Sequence, residues 1–112
     1  MDANRQNRIA RLLQKELSEM FMLETKKTKG LIVSVTKCYV SSDLSVCRAY
    51  LSIFPREQEQ ETIDNINRNT KRLRYELGTR VRFQLRIIPE LRFFLDDSLD
   101  YMEHIDELLR QQ

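Results

Sequence analysis

The chain has 112 residues, with 19 Lys and Arg against 17 Asp and Glu, one histidine, two cysteines and two glycines. That length supports one hydrophobic core rather than two. No apolar run approaches the roughly 20 residues of a membrane span, and the N-terminus does not read as a secretion signal, so a soluble cytoplasmic protein without membrane partners is expected.

From Asn4 to Leu23, Ile9, Leu12, Leu13, Leu17, Met20 and Phe21 recur at the spacing of a helix with one buried face. Arg5, Arg8, Arg11 and Lys15 form a stripe beside that face, able either to extend a phosphate-binding surface or simply to solubilise the helix. A basic loop of Lys26, Lys27 and Lys29 closes at Gly30.

Residues 31–41 and 44–54 are rich in β-branched and aromatic side chains and flank Ser42-Asp43, which predicts an antiparallel hairpin. Cys47, Ala49, Leu51 and Ile53 alternate onto one face of the second strand. In the first strand, Val33 and Val35 are out of phase with Cys38 and Val40, so a bulge near Lys37 is expected. If the chain reverses tightly about Ser42 and Asp43, Cys38 and Cys47 fall opposite each other and a cross-strand disulfide is open to them. Free buried thiols are the expectation. Tyr39, Tyr50 and Phe54 suit either base stacking or packing beneath a covering element, and packing is favoured.

After Pro55, the acids Glu57, Glu59 and Glu61 crowd a helix start, where the dipole favours negative charge. Ile63, Ile66, Thr70, Leu73, Leu77 and Val81 continue at helical spacing, but the polar run Asn67–Thr70 predicts a break, with Asn69 in the left-handed conformation. Gly78 suggests close packing against a strand. Pro89 suits the start of a strand over Glu90–Leu95. Beyond Asp97, Leu99, Met102, Ile105, Leu108 and Leu109 predict a short acidic amphipathic helix, giving a body over residues 1–97 and a tail over 98–112.

Charge is distributed unevenly along this order. Residues 1–88 hold 17 basic and 10 acidic groups, and residues 89–112 hold 2 and 7. Between Arg68 and Arg86 stand Arg68, Lys71, Arg72, Arg74, Arg80, Arg82 and Arg86 against one acid, Glu76. Such a patch suits a polyanion, because neutralising phosphates supplies the sequence-independent part of nucleic-acid affinity. Catalytic chemistry is missing. His104 stands in the acidic tail without an arranged nucleophile, and two glycines build no Gly-rich phosphate cradle. Two cysteines without a histidine cluster make no tetrahedral zinc set. Neither an enzyme nor a cofactor is expected.

The residues Val40-Ser41-Ser42-Asp43-Leu44-Ser45 and Pro89-Glu90-Leu91-Arg92-Phe93-Phe94-Leu95-Asp96-Asp97-Ser98, in this order of elements, resemble the ribosome-binding factor A family of bacterial small-subunit assembly factors. Arg5 and Arg8 opening the first helix, and Leu73-Arg74 followed by Leu77-Gly78, Arg80 and Arg82, add to the resemblance. It implies an α+β, type II KH-like fold with a three-stranded sheet. It also implies a non-enzymatic factor that binds immature 30S subunits and assists late 16S rRNA maturation, including 5′-end processing, and cold adaptation. RNA-binding KH domains carry a Gly-x-x-Gly loop between the two helices and this family an Ala-x-Gly kink. Here Asn69, Thr70 and Lys71 occupy those positions.

The expected RNA contacts are Arg5, Arg8, Arg11, Lys71, Arg72, Arg74, Arg80, Arg82 and Arg86, with the 30S subunit and its 16S rRNA as partner and the protein a monomer. Two other readings use the same residues differently: a protein-interaction module acting through the acidic tail, and a general RNA chaperone without ribosome preference.

Overall fold

The computed structural model describes residues 3–96, so the acidic helix expected over 98–112, with His104, lies outside the described residues. The elements run α1 (Ala3–Thr25), β1 (Ile32–Val40), β2 (Val46–Phe54), a short 3-10 turn (Arg56–Gln58), α2 (Glu59–Arg68), α3 (Thr70–Val81) and β3 (Glu90–Leu95). The sheet order is β1-β2-β3, antiparallel between β1 and β2 and parallel between β2 and β3. This is the α+β, KH-like arrangement that the resemblance implies.

All three helices cover one face of the sheet. Ile9, Leu13, Leu17, Met20 and Phe21 of α1, Ile63 and Ile66 of α2, and Leu73, Leu77 and Val81 of α3 form one core with Cys47, Ala49, Leu51 and Ile53 of β2. Phe21 meets Phe93 of β3 edge to face, with ring centroids 5.7 Å apart. The bulge expected in β1 lies between Val35 and Lys37, so Val33 and Val35 on one side of it and Val40 on the other all reach the core. A bulge interrupts the ladder, and α1 supplies donors at this point. The Gln14 side-chain amide donates to the Val35 carbonyl at 3.3 Å and to that of Thr36 at 3.4 Å.

The chain reverses about Ser42-Asp43 as expected, but Leu44 and Ser45 lengthen the turn and shift the pairing of the two strands. Ser41 N–H bonds to the Val46 carbonyl and Leu44 N–H to the Ser41 carbonyl, and Leu44 adopts φ 63°. This left-handed geometry is strained for a γ-branched residue. Asp43 offsets it by accepting hydrogen bonds from the Ser41 and Ser45 hydroxyls, each 2.7 Å, and from Ser45 N–H at 3.1 Å. The resulting register pairs Cys38 with Ala49 and Val40 with Cys47, so the two cysteines sit diagonally rather than opposite. Both are free thiols. A hydrogen bond to Cys47, reinforced by burial, pushes the Cys38 thiol far up.

The break between α2 and α3 falls at Asn69, but Asn69 has φ −112° and ψ 20°, not the left-handed conformation. Its side-chain amide donates to the Asn65 carbonyl at 2.7 Å while its own carbonyl accepts from Leu73 N–H. That local bonding replaces the need for positive φ. Gly78 faces Ile88 in the connection before β3, rather than a strand; an added Cβ would stand 3.4 Å from the Ile88 side chain. Pro89 is fully buried at the entry to β3.

The second face of the sheet also departs from expectation. Tyr39, Phe54 and Phe94 lie there between 41 and 63 % exposed, and no described element covers them. Packing beneath a covering element is therefore not what the described residues show for Tyr39 and Phe54.

Candidate nucleic-acid interface

The basic residues of α3 divide by helical position. Lys71, Tyr75, Gly78 and Arg82 share one outer stripe, while Arg72 and Arg80 fall on the edge that faces α1. That division decides what each charge can do.

Arg80 donates toward Glu16 at 3.4 Å and Glu19 at 3.3 Å, both on α1, and its side chain is only 24 % exposed. Arg72 pairs with Glu24 at 2.8 Å. These two arginines tie α3 to α1, and their charge is answered within the fold. Arg74 has a different role. Its Nη2 donates to the Ile88 carbonyl at 2.6 Å, and its Nε lies 3.2 Å from the Ile88 and Pro89 carbonyls. The planar guanidinium fork thus holds the connection from α3 to β3 in place through two of its three nitrogens.

The outer stripe opens onto a shallow groove whose lining includes Lys71, Arg74, Tyr75, Arg82, Arg86 and Ile87, together with Gly78, Thr79 and Ile88. No acid lines it. Arg82 lies over the Phe83 ring, 4.8 Å from its centroid. Tyr75, Phe83 and Ile87 are 76 to 86 % exposed, which is unusual for large apolar side chains grouped beside four cations. Sequence periodicity passed over these three because they fall off the core-facing stripe, where isolated apolar residues carry no signal.

The N-terminal turns of α1 add a second basic edge. Arg5 and Arg8 line a recess with Ile9, Leu12, Gln84 and Leu85, next to the turn in which Gln84 and Leu85 N–H both bond to the Val81 carbonyl. The segment 82–86 therefore has cations on both flanks: Arg82 and Arg86 on the groove side, Arg5 and Arg8 on the other. Arg11 is exposed on α1 and lines neither recess. Of the nine expected contacts, the fold brings together Lys71, Arg74, Arg82 and Arg86, places Arg5 and Arg8 beside them, and pairs Arg72 and Arg80 with acids of α1, Arg80 largely buried and Arg72 still more than half exposed.

An acid-free groove of this kind offers planar guanidinium donors, a lysine and exposed rings. It suits phosphate oxygens and unstacked bases. Among the described residues no group of three or more His, Cys, Asp and Glu could hold a metal ion.

Comparison with known proteins gives the same direction. The ribosome-binding factor A family profile matches residues 5–109. The chain is 48 % identical over 111 residues to ribosome-binding factor A of Flavobacterium johnsoniae, covering 97 % of this chain and 85 % of that one. It is 43 % identical to that of Cytophaga hutchinsonii, at 97 % and 83 % coverage. The crystal structure of ribosome-binding factor A from Thermus thermophilus superposes with a TM-score of 0.65 at 24 % identity, covering 80 % of this chain and 94 % of that one. A homology model of the Thermus thermophilus protein, fitted into a cryo-EM map of a 30S–RbfA complex, superposes equally well, with TM-score 0.65 at 24 % identity and coverage of 87 % and 97 %. With a profile match across nearly its whole length and relatives of this identity, the chain belongs to the ribosome-binding factor A family.

Proposed function

We propose that this protein binds free or immature 30S ribosomal subunits in the cytoplasm as a monomer. There it assists late maturation of the subunit and 5′-end processing of 16S rRNA, as a binding factor and not a catalyst, and it supports growth in the cold. Residues 1–97 carry the binding, and 98–112 form an acidic appendage. The observation that carries this reading is the acid-free groove of Lys71, Arg74, Arg82 and Arg86 flanked by Arg5 and Arg8. The Thermus thermophilus protein, placed in a 30S complex, supports the choice of particle.

The mechanism follows from the placement of charge. Arg82 and Arg86 present bidentate donors to consecutive phosphates, Lys71 adds a point charge at the start of α3, and Arg74 holds the connecting segment against the helix. Binding releases counterions, so affinity falls steeply with salt, by a log–log slope of about 0.9 per duplex phosphate neutralised.

Gradient sedimentation of a cell extract at low and high salt tests the reading, comparing the intact protein with an Arg82→Glu, Arg86→Glu variant. The intact protein should travel with free small subunits and the variant should remain at the top. If the intact protein stays at the top at low salt, the ribosomal assignment fails. Primer extension across the 16S 5′ end in depleted cells checks the maturation role, for which precursor ends should accumulate.

A further inference from the structure

The sheet face that no described element covers carries a second pattern, independent of the helical groove. The register places Tyr39, Arg48 and Arg92 in one cross-strand row and Lys37, Tyr50 and Phe94 in the next. Three rings and three cations thus interleave over two adjacent rows of all three strands, and no acid falls within either row. Tyr50 and Phe94 stack with centroids 5.5 Å apart and planes 30° apart. Tyr39 stands edge-on to Tyr50 at 5.9 Å, and the Arg48 guanidinium lies 5.9 Å from the Tyr39 centroid. Arg92 reaches Glu90 of the neighbouring row at 3.7 Å, with both side chains more than half exposed. Tyr39 is 50 % and Phe94 41 % exposed.

We infer that this face is a stacking platform for single-stranded RNA, a second contact distinct from the basic groove. The inference rests on the reading of the protein as an RNA-binding factor. Aromatic rings on an open sheet accept the π-faces of unpaired bases, and interleaved cations hold the backbone that links them. A duplex keeps its bases stacked within itself and offers nothing to these rings. A helix of the protein's own chain is the rival occupant. The face that does receive helices is built differently, from Val33, Val35, Ala49, Leu51 and Leu91, whereas the two central rows here contain rings and cations without a single aliphatic side chain. This chemistry favours RNA.

The test uses the full chain, a fluorescent single-stranded oligouridine, and an RNA duplex of similar length. Tyr39→Thr combined with Phe94→Thr keeps residues suited to an exposed strand while removing two rings. Anisotropy should show oligouridine affinity falling about ten- to a hundredfold while duplex affinity and the salt slope stay unchanged. With the unaltered protein, oligouridine carrying 4-thiouridine should crosslink to peptides containing Tyr39, Tyr50 or Phe94. Unchanged oligouridine affinity in the double variant, or crosslinks confined to α3 and residues 82–87, would overturn the platform. Unchanged affinity together with a melting temperature lowered by several degrees would overturn it in favour of packing against residues 97–112. The parent reading fails separately, through absence of the intact protein from free small subunits in the gradient.

Discussion

Arg80 and Arg82 stand two residues apart in a basic segment, yet the structure gives them opposite roles, and charge reversal separates them. Arg80 lies between Glu16, whose side chain is 18 % exposed, and Glu19, at 43 %. Removing one partner of a fully buried pair costs about 3–5 kcal/mol, and an exposed pair contributes roughly 0.2–1 kcal/mol. Arg80 falls between these limits, and Arg80→Glu also sets a third carboxylate against two others. A loss of about 2 kcal/mol is expected. For a domain of this size that lowers Tm by about 8 °C, at roughly 4 °C per kcal/mol. Arg82→Glu lies on the exposed groove and should change stability by no more than about 0.5 kcal/mol. Thermal melts followed by circular dichroism measure the first effect, and gradient sedimentation measures binding. Arg80→Glu should melt early but still travel with small subunits below its transition, while Arg82→Glu combined with Arg86→Glu should melt normally and stay at the top. The reverse outcome, with a normal melt and no binding for Arg80→Glu and full binding for the double variant, would refute this division of roles.

Further predictions concern the frame that positions the groove. Asp43 is held down to about 2 by the Ser45 hydroxyl, then the Ser41 hydroxyl and the Ser45 N–H. Because its folded value is depressed, its contribution to stability is complete above about pH 4 and is lost as pH falls toward 2. Asp43→Asn should therefore have a lower urea midpoint than the unaltered protein at neutral pH, and the two should converge near pH 2; convergence already at pH 6 would sink the assignment. Leu77 is fully buried at the centre of α3, and Leu77→Ala should cost about 2–5 kcal/mol in a urea titration. Gly78→Ala sets its Cβ at ordinary contact distance, 3.4 Å, from a half-buried Ile88 side chain. Its gain in helix propensity, up to about 1 kcal/mol, should then appear as a raised Tm, and a lowered one would mean that Ile88 has no room to move.

Much of this architecture is legible in the order of residues. Helical periodicity locates α1 and both halves of the α2–α3 pair, because an amphipathic helix repeats its apolar residues within a few positions of one another. The phase change between Val35 and Cys38 locates the bulge for the same local reason. The concentration of arginine after Arg68 points to a polyanion, and the order of strands and helices points to a family.

Other features depend on residues far apart in the chain, and local pattern does not carry them. Arg80 reads as a surface cation until Glu16 and Glu19, more than sixty positions earlier, are brought against it. Arg74 reads as a free surface cation until the carbonyls of Ile88 and Pro89 fold back onto it. Tyr39, Tyr50 and Phe94 come from three different strands and become one surface only through register, which also sets the two cysteines diagonally instead of face to face. The sequence by itself determined the elements, the sign of the charge and the family, since each is written in neighbouring residues. Only the tertiary structure decided which cations remain available to a partner, because a charge is answered by whatever the fold places within about 4 Å of it.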